Sequence, residues 1–265
     1  MKNVLTLALI FLVFSCNKKD VKWGGKVIKC DVSQMGGTFK PHGISYTGAF
    51  KKTYNASGLP QSLVAVIYGN FASVDSLLYE FSYLTGKVHV KAKKRNFRLG
   101  VTYADPLILD PDFPPSAYEF DATFDAKGNA LTIGASAFVY TDGRLTSHNG
   151  YAIVYDDKGN ITRANGGGGS VAYQYDYTKT AKGGQFYPPS GYQTGEMYNL
   201  GEIMGWIPVQ PKNLRTRHII DWGGYIAGEL PFTNHKLNSE GQLISYSSND
   251  ELASNTWNCK PITVK

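Results

Sequence analysis

The chain has 265 residues, 42% of them hydrophobic, and a formal net charge of +6 at neutral pH. This length suits one large all-β domain, and the modest positive charge does not by itself indicate a nucleic-acid partner. The N-terminal apolar run, eleven residues from Val4 to Phe14, is too short to cross the hydrocarbon core of a bilayer.

That apolar run has the form of an export signal, because Lys2 precedes it and Ser15-Cys16 follows it. A small residue before a cysteine resembles the lipobox of bacterial lipoproteins, in which cleavage leaves the cysteine as a lipidated N-terminus. We therefore predict a signal peptide over residues 1–15, a lipidated tether over 16–25 that starts at Cys16, and a single all-β domain over 26–265. An ordinary secretory signal that ends beside a cysteine is the alternative.

Two cysteines remain once Cys16 carries lipid, namely Cys30 and Cys259. An exported protein folds in an oxidising compartment where disulfides persist, so we predict that this pair is bonded. The bond would join the first strand to the last across a loop of more than 200 residues. The chain-entropy model assigns a loop of this length about 4 to 5 kcal/mol of stabilisation. Two free thiols are the alternative.

The densest basic run is KVHVKAKKRNFR, from Lys87 to Arg98. Val88 and Val90 alternate there with His89 and Lys91, which predicts a strand with one face in water. Nucleic-acid binding would also require several aromatic side chains for base stacking, and the run contains one. We therefore expect a solvated strand face and no nucleic-acid partner, with an anion-binding patch as the alternative.

A short motif recurs along the chain. The clearest copy is VYDDKGNIT at residues 154–162, and weaker copies are TFDAKGNALT at 123–132 and VYTDGRLT at 139–146. An Asp side chain can bond the backbone two residues on, and a nearby Gly can adopt the left-handed conformation, so the motif predicts a tight turn between two strands. The turn glycines of these copies are Gly128, Gly143 and Gly159. Looser copies turn at Gly58, Gly86 and Gly241. The pattern predicts an all-β fold, an antiparallel up-and-down meander curled into a barrel-like sheet.

One segment, residues 183–232, interrupts the meander with glycines, prolines and two tryptophans. Apolar residues recur at helical spacing near 197–207, which predicts a short helix that ends before Pro208. Such a segment would either plug the interior of the curled sheet or form a platform for a ligand. The platform residues would be Tyr192, Trp206, Trp222 and Tyr225.

Motifs for catalysis and metal binding are missing. The five histidines have neither His-Glu-x-x-His spacing nor a cysteine partner at ligand spacing, and Asn165 stands where a calcium loop around Gly159 would need Glu. No Gly-x-Ser-x-Gly turn presents a nucleophile, and the glycine run at 166–169 lacks the lysine of a phosphate loop. We assign no catalytic residue, no metal and no cofactor.

VYDDKGNIT is similar to the YD repeats of Rhs-type bacterial proteins, in which such hairpins stack into large β-sheets. The combination of a lipobox, these hairpins and a late Asn213-Leu214 segment resembles a group of Bacteroidetes-type lipoproteins of unknown function, and the resemblance covers residues 110–250. It implies a porin-like, curled antiparallel sheet. It implies no activity.

These features predict a non-enzymatic envelope protein, tethered by its N-terminal lipid to the outer membrane on the periplasmic or the outer face. Its aromatic content of 13% suits binding of a glycan or an envelope protein, because aromatic faces stack well on sugars. A hydrolase of an envelope polysaccharide, with two carboxylates across a cleft, is one alternative. A structural subunit of a surface complex is the other.

Overall fold

The computed structural model describes residues 26–37, 48–68, 73–98, 108–166, 169–180, 184–187, 195–208, 211–222, 225–248 and 251–263. These residues form eighteen β-strands and one α-helix, α1 (Glu196–Met204). The strands of the first half are β1 (Lys26–Gly37), β2 (Gly48–Tyr54), β3 (Pro60–Tyr68), β4 (Ser73–Leu84), β5 (Lys87–Arg98), β6 (Ile108–Leu109), β7 (Ser116–Phe124), β8 (Ala130–Ile133) and β9 (Ser136–Thr141). Those of the second half are β10 (Arg144–His148), β11 (Tyr151–Tyr155), β12 (Ile161–Gly166), β13 (Gly169–Thr180), β14 (Asn213–Trp222), β15 (Tyr225–Pro231), β16 (Thr233–Leu237), β17 (Leu243–Ser248) and β18 (Glu251–Thr263).

Side-chain oxygens form the turns that the repeated motif predicts. Between β7 and β8, Asp125 Oδ1 accepts hydrogen bonds from the backbone amides of Lys127 and Asn129, both at 2.8 Å. Gly128 closes this turn in the left-handed conformation, with a φ of 81°. The same use of a side-chain oxygen recurs at Asn55, Asp156 and Asn238. These turns determine where each strand ends.

The turn between β9 and β10 differs from the others. Asp142 and Gly143 both have positive φ, 52° and 74°, which is the conformation of a two-residue type I′ hairpin. This copy of the motif therefore shares the Asp and Gly of its relatives but reverses the chain in fewer residues.

The strands pair antiparallel in chain order, as predicted for an up-and-down meander. Strands β15 and β16 follow each other with one residue between them, and β15 pairs with β14 while β16 pairs with β17. The short β6 lies beside β5, which also pairs with β7. The first and last strands pair along most of their lengths, from Lys26 opposite Thr263 to Gly37 opposite Ala253. That pairing brings the two ends of the meander together, so the sheet is a nearly closed barrel.

The barrel is apolar inside and charged outside in the region of β5. Val88, Val90 and Ala92 are buried, as their alternation predicts. The opposite face of β5 points outward and carries ion pairs to β7, Lys87 with Asp121 at 2.6 Å and others from His89 and Lys91. Two acidic residues on β7, Glu119 and Asp121, therefore offset part of the positive charge of the basic run. The described residues contain no helix with the length and hydropathy of a membrane span.

Helix α1 lies inside the barrel, which confirms the predicted plug. Tyr198, Leu200, Ile203 and Met204 are buried and belong to the same core as the inward residues of the strands. The helix ends at Gly205, whose left-handed conformation lets the next amide, that of Trp206, bond back to the carbonyl of Gly201 at 2.8 Å. It therefore stops three residues before Pro208.

Both ends of the helix are fastened to the barrel wall. At the N-terminal end, the hydroxyls of Tyr79 on β4 and Tyr118 on β7 donate to the same oxygen of Glu196. At the C-terminal end, Lys52 Nζ on β2 donates to the carbonyl of Ile203 at 2.6 Å. These contacts hold the helix in a fixed position relative to β2, β4 and β7.

Candidate functional site in the barrel interior

A buried arginine is the most unusual polar group of the interior. Arg215 on β14 is 3% exposed, and His218 on the same strand is 1% exposed. Residues three apart on a regular strand point to opposite faces, so these two side chains could not both face inward on an unbroken β14. The register against β13 shifts between Gln174 and Tyr175, which inserts Thr216 as an extra residue. This bulge turns Arg215 into the barrel beside His218.

Aromatic rings surround the guanidinium group. Its central carbon lies 4.3 Å from the ring centroid of Tyr173 and 5.2 Å from that of Tyr187. Arg215 Nη1 lies 2.8 Å from His218 Nε2. Burial, and secondly the neighbouring Arg215 charge, hold the pKa of His218 well below its usual range, so this imidazole is neutral and accepts the hydrogen bond. Arg215 Nε is buried and has no hydrogen-bond partner among the described residues.

Glu202, in the last turn of α1, faces the same region. Burial raises its pKa to about 7, although the positive charge of Arg215 acts in the opposite direction. The carboxyl group is therefore near half-ionised at neutral pH. Glu202 as a residue is only partly exposed, and protein surrounds its carboxyl group. We call Arg215, Glu202, His218, Tyr173, Tyr175 and Tyr187 the Arg215 cluster.

A second group of buried polar atoms, which lack hydrogen-bond partners among the described residues, lies next to this cluster on the far side of Tyr198. His148 on β10 stacks on Phe138, with ring centroids 4.9 Å apart, and its ring lies 5.3 Å from that of Tyr198. Neither ring nitrogen of His148 has a hydrogen-bond partner in the described part of the chain, and the same is true of the Tyr155 hydroxyl. Burial lowers the pKa of His148, so the ring is neutral. Native proteins satisfy most buried polar atoms with protein, water or ligand.

The structure describes one of the four predicted platform side chains. Trp206 is buried, and its ring packs edge-on against Phe81 and Phe124 at centroid distances of 5.8 and 5.4 Å. It belongs to the packing of the plug and does not lie on an outer face. Trp222 and Tyr225 pair with each other at the end of the β14–β15 hairpin, but their side chains, like the whole of Tyr192, lie outside the described residues.

The predicted covalent sites are placed only in part. Cys16 lies outside the described residues. The backbones of Cys30 and Cys259 are direct cross-strand partners in the β1–β18 pair. Directly opposed residues of antiparallel strands have Cα atoms about 4.5 to 5.5 Å apart, within the range that a disulfide bridges. No three His, Cys, Asp or Glu side chains gather at metal-binding distance in the described ranges.

Sequence reasoning missed the Arg215 cluster. The segment Asn213–His218 reads as an alternating strand in which Arg215 and Arg217 share a face, and only the bulge separates them. Glu202 gave no signal either, because its burial depends on where the helix lies. The sequence shows that residue 202 is a glutamate, but it does not show that this glutamate is buried near Arg215.

Comparison with known proteins finds similarity to a solved structure but no matching family. No protein-family model matches the chain, and no curated protein matches it. Among solved structures, a porin-like protein from Bacteroides uniformis is similar at a TM-score of 0.42 and 12% identity, over 86% of this chain and 96% of that one. We draw no functional conclusion from this likeness.

Proposed function

We propose that this protein is a lipid-anchored, non-enzymatic barrel of the bacterial envelope that binds a polar ligand of the size and character of a sugar. The N-terminal apolar run and Cys16 support export and anchoring. The predicted partner, a glycan or another envelope component, is retained. Its place of contact moves from the tryptophan platform to the barrel interior.

The Arg215 cluster is the observation that carries this proposal. Ligand pockets combine apolar and aromatic walls with a few fixed polar groups. Here Tyr173 and Tyr187 supply ring faces, and Arg215 supplies a permanently charged donor whose Nε–H has no partner among the described residues. Tyrosine rings offer a large contact area to a sugar ring at a small entropy cost.

The plug favours binding over conduction. Helix α1 and its aromatic neighbours fill part of the interior, and the helix is fastened to the wall through Glu196 and Lys52. A barrel that spans a membrane also carries an apolar outer band, whereas the outer face of β5 and β7 carries ion pairs. These features support a plugged barrel whose outer face meets water at β5 and β7.

The ligand-binding proposal is tested with full-length protein purified from the native envelope in detergent. Native mass spectrometry and a glycan library should reveal a bound sugar-like ligand, and Arg215→Met should remove it. Arg217→Met is the matched control, because Arg217 lies two residues away and forms an exposed ion pair with Glu229 at 2.9 Å. Equal loss in both variants, or no ligand in the wild-type protein, would contradict the proposal.

The anchor is tested separately. Metabolic labelling with a radioactive fatty acid should mark the wild-type protein and not Cys16→Ser. Release of the variant into the soluble fraction of the envelope should accompany the loss of label. Label retained by Cys16→Ser would remove the anchor from the proposal while leaving the interior site untouched.

A hydrolase remains a second candidate because of Glu202. A carboxyl group with its pKa raised to about 7 is suited to donate a proton to a leaving group. A glycosidase also needs a second carboxylate, and within the described residues the pKa of Glu202 responds to its burial and to Arg215 alone. Release of reducing sugar from envelope polysaccharide by the wild type, lost in Glu202→Gln, would favour the hydrolase.

A further inference from the structure

The charges of the Arg215 cluster do not balance at neutral pH. The guanidinium group is always charged and is 3% exposed. His218 is neutral and adds no compensating charge. The hydroxyls of Tyr175, Tyr187 and Tyr198 are also neutral, because burial above all raises their pKa. Among the described residues that act most strongly on Arg215, Glu202 is the one carboxylate, and it is only partly ionised.

Arg215 Nε, which has no hydrogen-bond partner among the described residues, also indicates that a negative charge is missing beside the guanidinium group. A buried charged donor without a partner costs more free energy than a neutral one. Guanidinium groups recognise carboxylates through paired N–H donors in a fixed fork. Arg215 Nη1 is used by His218, whereas Nε is left without a partner among the described residues. An anionic oxygen at Nε would satisfy both the charge and the hydrogen bond.

We infer that the Arg215 cluster binds a ligand that carries a carboxylate, such as a uronic acid, and that Glu202 takes up a proton from solution when this ligand binds. The inference rests on the proposed function and names the chemical class of its ligand. The ligand carboxylate pairs with Arg215. Its negative charge disfavours the ionised form of Glu202, so the Glu202 carboxylate gains a proton and becomes a neutral carboxyl group, with no other bond formed or broken.

Proton uptake makes the affinity depend on pH. Below pH 7, Glu202 is mostly protonated before the ligand binds. Above pH 7 it is mostly ionised and must take up a proton when the ligand binds. If the protonated form alone binds, the association constant falls about tenfold between pH 6 and pH 8. At pH 7 about half a proton is taken up for each ligand bound. A uronic acid remains ionised over this range, so the pH dependence reports on the protein.

Calorimetry of the full-length protein with D-glucuronate, and with D-glucose as the neutral match, tests the inference. We expect glucuronate to bind at least tenfold more tightly than glucose at pH 6. Titrations in two buffers of different ionisation enthalpy should measure the proton uptake. Glu202→Gln should bind glucuronate with the same affinity at pH 6 and pH 8. Arg215→Met should lose the preference for glucuronate over glucose, and Arg217→Met should keep it.

Other results would overturn the inference. Equal affinity for the two sugars, or a wild-type affinity that does not change with pH, would exclude a carboxylate ligand coupled to Glu202. If Arg215→Met does not fold, the pH profile of Glu202→Gln still decides the question. Binding of neutral glycans in the library without binding of glucuronate would overturn this inference and leave the proposed function standing. If neither glucuronate nor any neutral glycan binds, the inference and the proposed function are both overturned.

Discussion

Replacing Lys52 with methionine should loosen the plug. The Lys52 side chain is fully buried, and its ammonium group lies 2.8 Å from both carboxylate oxygens of Asp31 and 2.6 Å from the carbonyl of Ile203. Methionine keeps most of the apolar stem and removes the charge. It leaves the Asp31 carboxylate, 19% exposed, with a hydrogen bond from the hydroxyl of Tyr54 at 3.1 Å.

The expected loss follows from these contacts. Removing one partner of a buried ion pair costs about 3 to 5 kcal/mol, since the other charge stays buried. The carbonyl of Ile203, which belongs to the last turn of the helix, also loses its partner in the wall. For a chain of this size, 1 kcal/mol corresponds to about 2 to 4 °C in Tm, so Lys52→Met should lower Tm by roughly 6 to 20 °C.

Urea unfolding followed by tryptophan fluorescence measures the free energy of unfolding. Lys51→Met is the matched control, because Lys51 is exposed on the same strand and should change stability by no more than about 0.5 kcal/mol. Adding Asp31→Asn to Lys52→Met should recover at least about 1 kcal/mol by removing the stranded charge. A Lys52→Met variant as stable as Lys51→Met would refute the reasoning that the helix is fastened through this contact.

Three further substitutions test the fold. At Gly201 an added Cβ would lie 2.9 Å from Ile133 Cδ1. Gly201→Val should therefore lower the free energy of unfolding, measured in urea, by about 2 to 3 kcal/mol. An unchanged value would mean that the helix can move away from the wall. Partial burial raises the pKa of Asp156, but hydrogen bonds from its own turn outweigh this and hold the pKa below the ordinary value. Its stabilisation is therefore present above pH 4 or so and lost as pH falls through the folded pKa, and Asp156→Ala should cost about 1 kcal/mol at pH 7 and progressively less as the pH is lowered below 4 in thermal unfolding. Because Cys30 and Cys259 are directly opposed, thiol titration of the unfolded, unreduced domain should find both blocked, and Cys259→Ser should lower stability by up to about 5 kcal/mol; two reactive thiols would contradict the predicted bond.

The strands could be predicted because their signals are local. The run from Lys87 to Arg98 is strand β5 along its whole length, with Val88 and Val90 buried as their alternation indicates. The turn at Gly128 follows from an Asp three residues earlier, whose side chain bonds the backbone within the turn. Each of these features depends on a few consecutive residues, so no knowledge of distant contacts is needed.

The helix was predictable as an element, but its chemistry was not. Apolar spacing between residues 197 and 207 indicated a short helix that ends before Pro208. In the structure α1 ends earlier, at Met204, because Gly205 adopts the left-handed conformation that caps it. The same spacing cannot show that Glu202 lies beside Arg215. The pKa of Glu202 depends on its burial and on Arg215, which lies on a strand that follows the helix in the chain.

The sequence alone determined an antiparallel meander with turns at defined residues, because backbone hydrogen bonding and side-chain alternation act over a few neighbours. Tertiary structure alone decided the contents of the barrel. A one-residue bulge against β13 turned Arg215 inward, and burial of the helix raised the pKa of Glu202. Each of these depends on residues far apart in the chain, whose positions are fixed only when the barrel closes around its plug.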